Sequence, residues 1–237
     1  MKKITDPIGH SQQAIDAMKM LYASELVSVT LFGSAAGGDF NPETSDINLL
    51  IILTSMDPQL IARSADLQKR LEKQRFARPL FMDKAYIASS LDSYPMEFLD
   101  MKGCRTVLFG EDVLASIAPE QEHLRLQVER ELKGKWLHLV QEYTAAQKNA
   151  KQLAHLTGIS LKSFMPVFRA LLILKGTEIP VNRAVVLAGV ESAYTLAGTP
   201  LQQAASFAFE HRSIAPENVF LTYLTAIKSL IDIIDNQ

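Results

Sequence analysis

The chain has 237 residues, 48% of them hydrophobic and 21% charged, with a formal net charge of -2. That length allows one large domain or two modest ones, and the near-neutral charge excludes the basic excess of a dedicated duplex DNA binder. Cys104 is the only cysteine, which excludes an intrachain disulfide or a thiolate zinc cluster and fits a reducing, cytoplasmic setting.

None of the five histidines falls in an H-E-x-x-H or similar metal-binding spacing. No continuous run reaches the roughly 18 apolar residues that span a bilayer, and Arg169 interrupts the stretch Val167 to Leu174. No membrane segment is expected.

From the N-terminus, Ser11 to Leu26 sets Ala14, Met18, Leu21 and Tyr22 on one helical face. Val27 to Phe32 reads as a buried strand ending at Gly33-Ser34. Ile47 to Leu53 is a branched apolar run, the pattern of a central strand covered on both faces. Asp57-Pro58 starts a helix, the Asp as cap and the Pro at its first position, and the helix runs to about Phe76. Pro79 to Met82 and Thr106 to Phe109 read as third and fourth strands. Between them Asp83 precedes a helical Lys84-Ala-Tyr-Ile-Ala, where it suits an N-cap. Glu111 and Asp112 are expected to open a short helix through Ile117, where negative charge suits the N-terminal dipole.

Beyond Ala118 the rhythm changes. Leu124, Val128, Leu132, Trp136, Leu139 and Tyr143 recur at helical spacing, and further helical patterns cover about Ala150 to Lys175, Val181 to Ala197, Leu201 to Glu210 and Glu217 to Ile234. Trp136 and Tyr143 lie on the apolar stripe, which places them in a core. The expected fold class is α+β: a mixed sheet with flanking helices over residues 1–117, then an all-α helical bundle over 118–237.

Most of the chemistry lies between residues 31 and 53. Gly33 lets the chain turn sharply and a phosphate approach the backbone, and Ser34 adds a hydroxyl and an amide donor. Gly33 and Gly38 have P-loop spacing, but Asp39-Phe40 stands where Lys-Ser or Lys-Thr belongs, so that reading fails. Side chains two apart on a strand share a face. Asp46 and Asn48 therefore project together toward whatever Gly33-Ser34 cradles. Two carboxylates at such positions would bind Mg²⁺, a hard cation that takes oxygen ligands and bridges to phosphates. Here the second position is Asn48.

A Gly-Ser turn, a loop of about ten residues, then Ser45-Asp46-Ile47-Asn48 entering an apolar strand resembles the nucleotidyltransferase fold superfamily. The helical second half resembles that of its kanamycin nucleotidyltransferase-like members, and Ser93 to Lys102 with Val107 to Asp112 looks like a bacterial branch of that group. The resemblance implies that Gly33 and Ser34 bind a nucleoside triphosphate. It implies that Asp46 and Asn48 stand at the metal positions, Asp46 as the catalytic acid, and that Mg²⁺ is the cofactor. Family members use a third acid on a neighbouring strand, for which Asp83 is the candidate; the loop acids Asp39 and Glu43 are weaker substitutes.

Three functions follow as expectations. The first is a nucleotide-binding protein with weak or no transferase activity, because Asn48 replaces the second acid. The second is an active adenylyl or nucleotidyl transferase acting on a small-molecule hydroxyl. The third is an antitoxin-like protein-interaction module. The helical half would carry the acceptor or protein partner, and an oligomer is compatible with all three.

Overall fold

The computed structural model describes residues 3–37, 40–146, 149–177, 180, 182–210 and 215–236. Two compact units divide it, Met1–Pro119 and Glu120–Gln237.

In the first unit, helix α1 (Pro7–Tyr22) starts behind Asp6, whose carboxylate accepts from the Gly9 amide at 3.0 Å. It stops four residues before the predicted end, because Ala23 turns into a left-handed conformation (φ 47°) and a single 3-10 turn leads into strand β1 (Leu26–Phe32). The short α2 (Ser34–Gly37) follows, then β2 (Asn48–Leu53), α3 (Pro58–Ala62), α4 (Ala65–Glu72), β3 (Leu80–Met82), α5 (Lys84–Ser90), α6 (Pro95–Gly103) and β4 (Arg105–Gly110).

Asp57 caps α3 by accepting from the Gln59 amide at 2.8 Å, with Pro58 at its first position. The helix predicted from there to Phe76 is broken. The Arg63 and Ser64 amides bond three residues back, and the Ser64 hydroxyl takes the Ile61 carbonyl at 2.8 Å, so α4 starts in a new direction. Residues 111–117 form turns rather than the expected short helix. Their acids are drawn sideways into ion pairs, Asp112 with Arg105 at 2.7 Å and Glu111 with Lys84 at 2.5 Å.

The strands form one sheet in the order β3-β2-β1-β4. β1 is antiparallel to β2 and β4, and β2 is parallel to β3. Period-two alternation along β2 feeds two cores. Leu49, Ile51 and Leu53 pack with Met18, Tyr22, Leu67 and Leu71 from α1 and α4. Leu50 and Ile52 pack on the other face with Ile87, Phe98, Met101 and Leu114. Each fully buried aliphatic side chain of this kind contributes about 1.5–3 kcal/mol, which fixes the register, since a one-residue slip would exchange the two faces.

The second unit is helical: α7 (Gln121–Ala145), α8 (Ala150–Leu174), α9 (Arg183–Ala193), α10 (Pro200–Glu210) and α11 (Pro216–Asp235). Val181, His211 and Arg212 lie outside the described residues. Helix α8 touches all four others and buries Phe164, Phe168 and Leu171. It is long and apolar enough in composition to cross a membrane, despite Arg169, and most of its apolar window is buried inside this unit. Tyr143 stacks on Phe220 with ring centroids 5.0 Å apart, and Trp136 donates to the Leu224 carbonyl at 3.3 Å, so both serve packing. Burial pushes the Tyr194 hydroxyl up to about 12, and that group donates to the Leu171 carbonyl at 2.9 Å.

Candidate functional site

The antiparallel pairing of β1 and β2 sets Asn48 directly opposite Phe32, so the end of one strand meets the start of the other. Gly33 follows with φ 72°, the left-handed region that glycine enters without a Cβ penalty. Its amide donates to the Cys104 carbonyl at 3.0 Å, and its own carbonyl accepts from the Ala36 and Gly37 amides. The turn is thereby tied to the entrance of β4 and closed on itself. A Cβ on Gly33 would stand 3.2 Å from the Asn48 amide nitrogen, so the Asn48 carboxamide lies beside the turn. Ser34 is half-buried and Asp46 exposed. The side chains of Ser34, Asp46 and Asn48 make no hydrogen bond or ion pair among the described residues. Gly38 and Asp39, of the rejected P-loop spacing, lie outside the described residues.

The loop before Asp46 is built. Asn41 accepts from the Glu43 and Thr44 amides at 2.8 and 3.3 Å, and the Ser45 hydroxyl accepts from the Asn41 amide at 3.0 Å. Glu43 stays exposed, with Lys3 at 3.9 Å.

Asp83 does not join this site. Met82 pairs with Ile52 at the far end of β2, which puts Asp83 roughly 17 Å along the strand from Asn48 at ~3.3 Å per residue. Both its oxygens are engaged there. One accepts from the Tyr86 amide at 2.6 Å as the cap of α5, and the other from the Met56 amide at 3.0 Å. We expect Asp83→Ala to lower stability by about 1–2 kcal/mol through loss of the cap; thermal unfolding measures it.

Sequence reasoning missed what does stand opposite Asn48. Ile47 bridges Phe76 and Leu50 pairs with Leu80, so the segment facing Asn48 is Ala77-Arg78-Pro79. It carries no carboxylate. Arg78 forms an exposed pair with Glu72 at 3.0 Å. In the other direction Phe32 pairs with Arg105, whose guanidinium makes a bidentate pair with Asp112. The hydrogen bonds from Arg105 hold the Asp112 carboxyl below the usual carboxylate range. Among the described residues no three His, Cys, Asp or Glu side chains come together in a way that would hold a metal ion.

Donors on a Gly-Ser turn beside a single free carboxylate suit a phosphate and at most one cation. Mg²⁺ is commonly held by one or two carboxylates with substrate phosphates supplying further oxygens, so Asp46 alone would suit a cation that takes its other oxygens from a phosphate. A two-metal clamp needs more acids than this face provides.

Residues 12–91, which hold the strand, the Gly-Ser turn and the acid before the next, antiparallel strand, match the family model described as nucleotidyltransferase domain. The whole chain adds a helical second unit to that domain. It is similar in structure to the spectinomycin adenyltransferase AAD(9) from Enterococcus faecialis, solved with ATP and spectinomycin. The TM-score is 0.55, at 11% identity, over 94% of this chain and 98% of that one. No curated protein matches the sequence.

Proposed function

We propose that this protein binds a nucleoside triphosphate at the Gly33-Ser34 turn and Asp46, and transfers its nucleotide slowly or not at all. The observation that carries this reading is the acid inventory of the sheet face. Among the described residues the Asp46 carboxylate has no partner, Asn48 is neutral, and the segment opposite Asn48 contains no carboxylate. The Ser34 hydroxyl and the Ser34 amide would donate to phosphate oxygens. Asp46 would hold a Mg²⁺ ion, which when bound supplies charge neutralisation for the triphosphate. Asn48 offers a carbonyl oxygen or an amide donor beside Gly33, with no charge to balance a second ion.

One observation favours a second reading, adenylyl transfer to a small-molecule hydroxyl: the fold runs the length of an adenyltransferase that was solved with ATP and a small molecule. In that case a hydroxyl oxygen attacks the α-phosphorus and pyrophosphate leaves, and catalysis depends on positioning and electrostatics.

Calorimetric titration of Mg-ATP into wild type and Asp46→Ala is the test, with α-labelled ATP added to follow turnover. Binding by wild type, at least tenfold weaker binding by Asp46→Ala and no label transfer are the expected results. Transfer of label by wild type would establish the second reading, and no binding by wild type would leave the protein-interaction role in place of both.

A further inference from the structure

Asp46 sits between two residues that are both held by Arg75. The Arg75 guanidinium donates through Nη2 to the Ser45 carbonyl and through Nη1 to the Pro42 carbonyl, the latter at 2.7 Å. The Arg75 carbonyl accepts from the Ile47 amide at 2.9 Å. One residue thus pins the chain on either side of Asp46, whose carboxylate makes no hydrogen bond among the described residues. We propose that Arg75 is a positioning residue that sets the Asp46 carboxylate for its ligand; the proposal rests on the nucleotide-binding reading above.

The energetics of Arg75 make little sense for packing alone. Its side chain is buried, the residue being 6% exposed, and its Nε has no hydrogen-bond partner. A buried guanidinium with unspent donors is less favourable than an apolar side chain of similar volume. Its backbone is left-handed (φ 65°), which costs a non-glycine residue roughly 1–2 kcal/mol. That conformation is held from both sides by His10 of α1. The His10 ring stacks on Phe76 with centroids 5.4 Å apart, and its Nε2 donates to the Gln74 carbonyl at 3.0 Å. What these costs secure is a fixed loop, since Arg presents a planar fork that can reach two carbonyls at once, which a Lys ammonium on one flexible stem does not reproduce.

The experiment compares wild type, Arg75→Gln and Arg75→Lys by amide hydrogen exchange and by calorimetric titration with Mg-ATP, with circular dichroism to confirm folding. Arg75→Gln should exchange at least tenfold faster at the Glu43 to Ile47 amides and at an unchanged rate at Val29 to Leu31. Its Mg-ATP affinity should fall about tenfold, with Arg75→Lys between it and wild type. Wild-type affinity in a folded Arg75→Gln, or wild-type exchange at Glu43 to Ile47, would overturn the positioning role while the nucleotide-binding reading stood. Absence of Mg-ATP binding in wild type itself would overturn that reading and this proposal with it. Should Arg75→Gln fail to fold, wild-type exchange and affinity in Arg75→Lys would overturn the proposal.

Discussion

Replacing Asn48 with Asp should raise divalent-cation affinity by at least an order of magnitude, read by calorimetric titration of Mg²⁺ or Mn²⁺ in the presence of ATP. Position 48 opens β2 opposite Phe32 and beside Gly33, two residues after Asp46. A carboxylate there would share a face with Asp46. A unit charge about 4 Å from another contributes roughly 4 kcal/mol at an effective dielectric of about 20, and more against a divalent ion. Exposure at the rim and repulsion between the two acids reduce that gain, and about 1.4 kcal/mol, a factor of ten, is the conservative remainder. The same repulsion supplies a second signature. Without metal, Asn48→Asp should melt below wild type, and Mg²⁺ should restore it, because a ligand that binds only the folded state stabilises it. Equal metal affinity in both forms would mean that position 48 does not face the ligand.

The largest loss of stability is expected from Gly110→Ala, at the end of the edge strand. Gly110 has φ 76°, and a Cβ there would lie 2.0 Å from the Val27 carbonyl oxygen. The neighbour is backbone of β1 at the irregularity between Leu26 and Ser28, both of which pair with β2, so moving it would disturb that pairing. Left-handed strain contributes roughly 1–2 kcal/mol and forced overpacking about 1–3 more. At a few degrees per kcal/mol for a chain of this size, the N-terminal unit should melt about 10 °C lower. Gly33→Ala is the informative comparison. Its φ is nearly the same, 72°, but its Cβ would meet only the end of the Asn48 side chain at 3.2 Å. A loss of about 1–2 kcal/mol is expected there. Equal losses at the two positions would show that backbone conformation alone, not the contact with Val27, sets the cost.

Much of the first unit could be read from local pattern. The unbroken branched run of β2 announced a strand covered on both faces, and two cores do flank it. Asp57-Pro58 announced a helix start, and Asp83 suited a cap before it suited a catalytic acid. Gly33-Ser34 and Asp46 were visible because their chemistry is carried by short spacings. Features decided by distant residues were not visible. The end of α1 depends on a left-handed Ala23, and the break between α3 and α4 on a serine hydroxyl turning back to Ile61. Helix α6 carries Pro95 at its first position and buries Met96, Phe98 and Met101, a stripe that the surrounding Tyr, Glu and Asp residues obscured.

Two features lay beyond local pattern for one physical reason. Asp83 as a third acid depended on the register between β2 and β3, which no local pattern encodes. Arg75 lies near the end of the stretch expected to be helical to about Phe76, and nothing in its neighbours marks it. Its burial and its reach to Pro42 and Ser45 exist only after some thirty residues of chain have closed on themselves. The fold is legible where side-chain period decides it, and the site only where neighbours in sequence are also neighbours in space.

The most direct test is a crystal structure of the protein soaked with ATP and Mn²⁺, in which the cation is located by its anomalous signal. The expected result is a triphosphate over Gly33 and Ser34 with a single Mn²⁺ on the Asp46 carboxylate and phosphate oxygens. A triphosphate bound elsewhere, or a second cation held at Asn48, would contradict it.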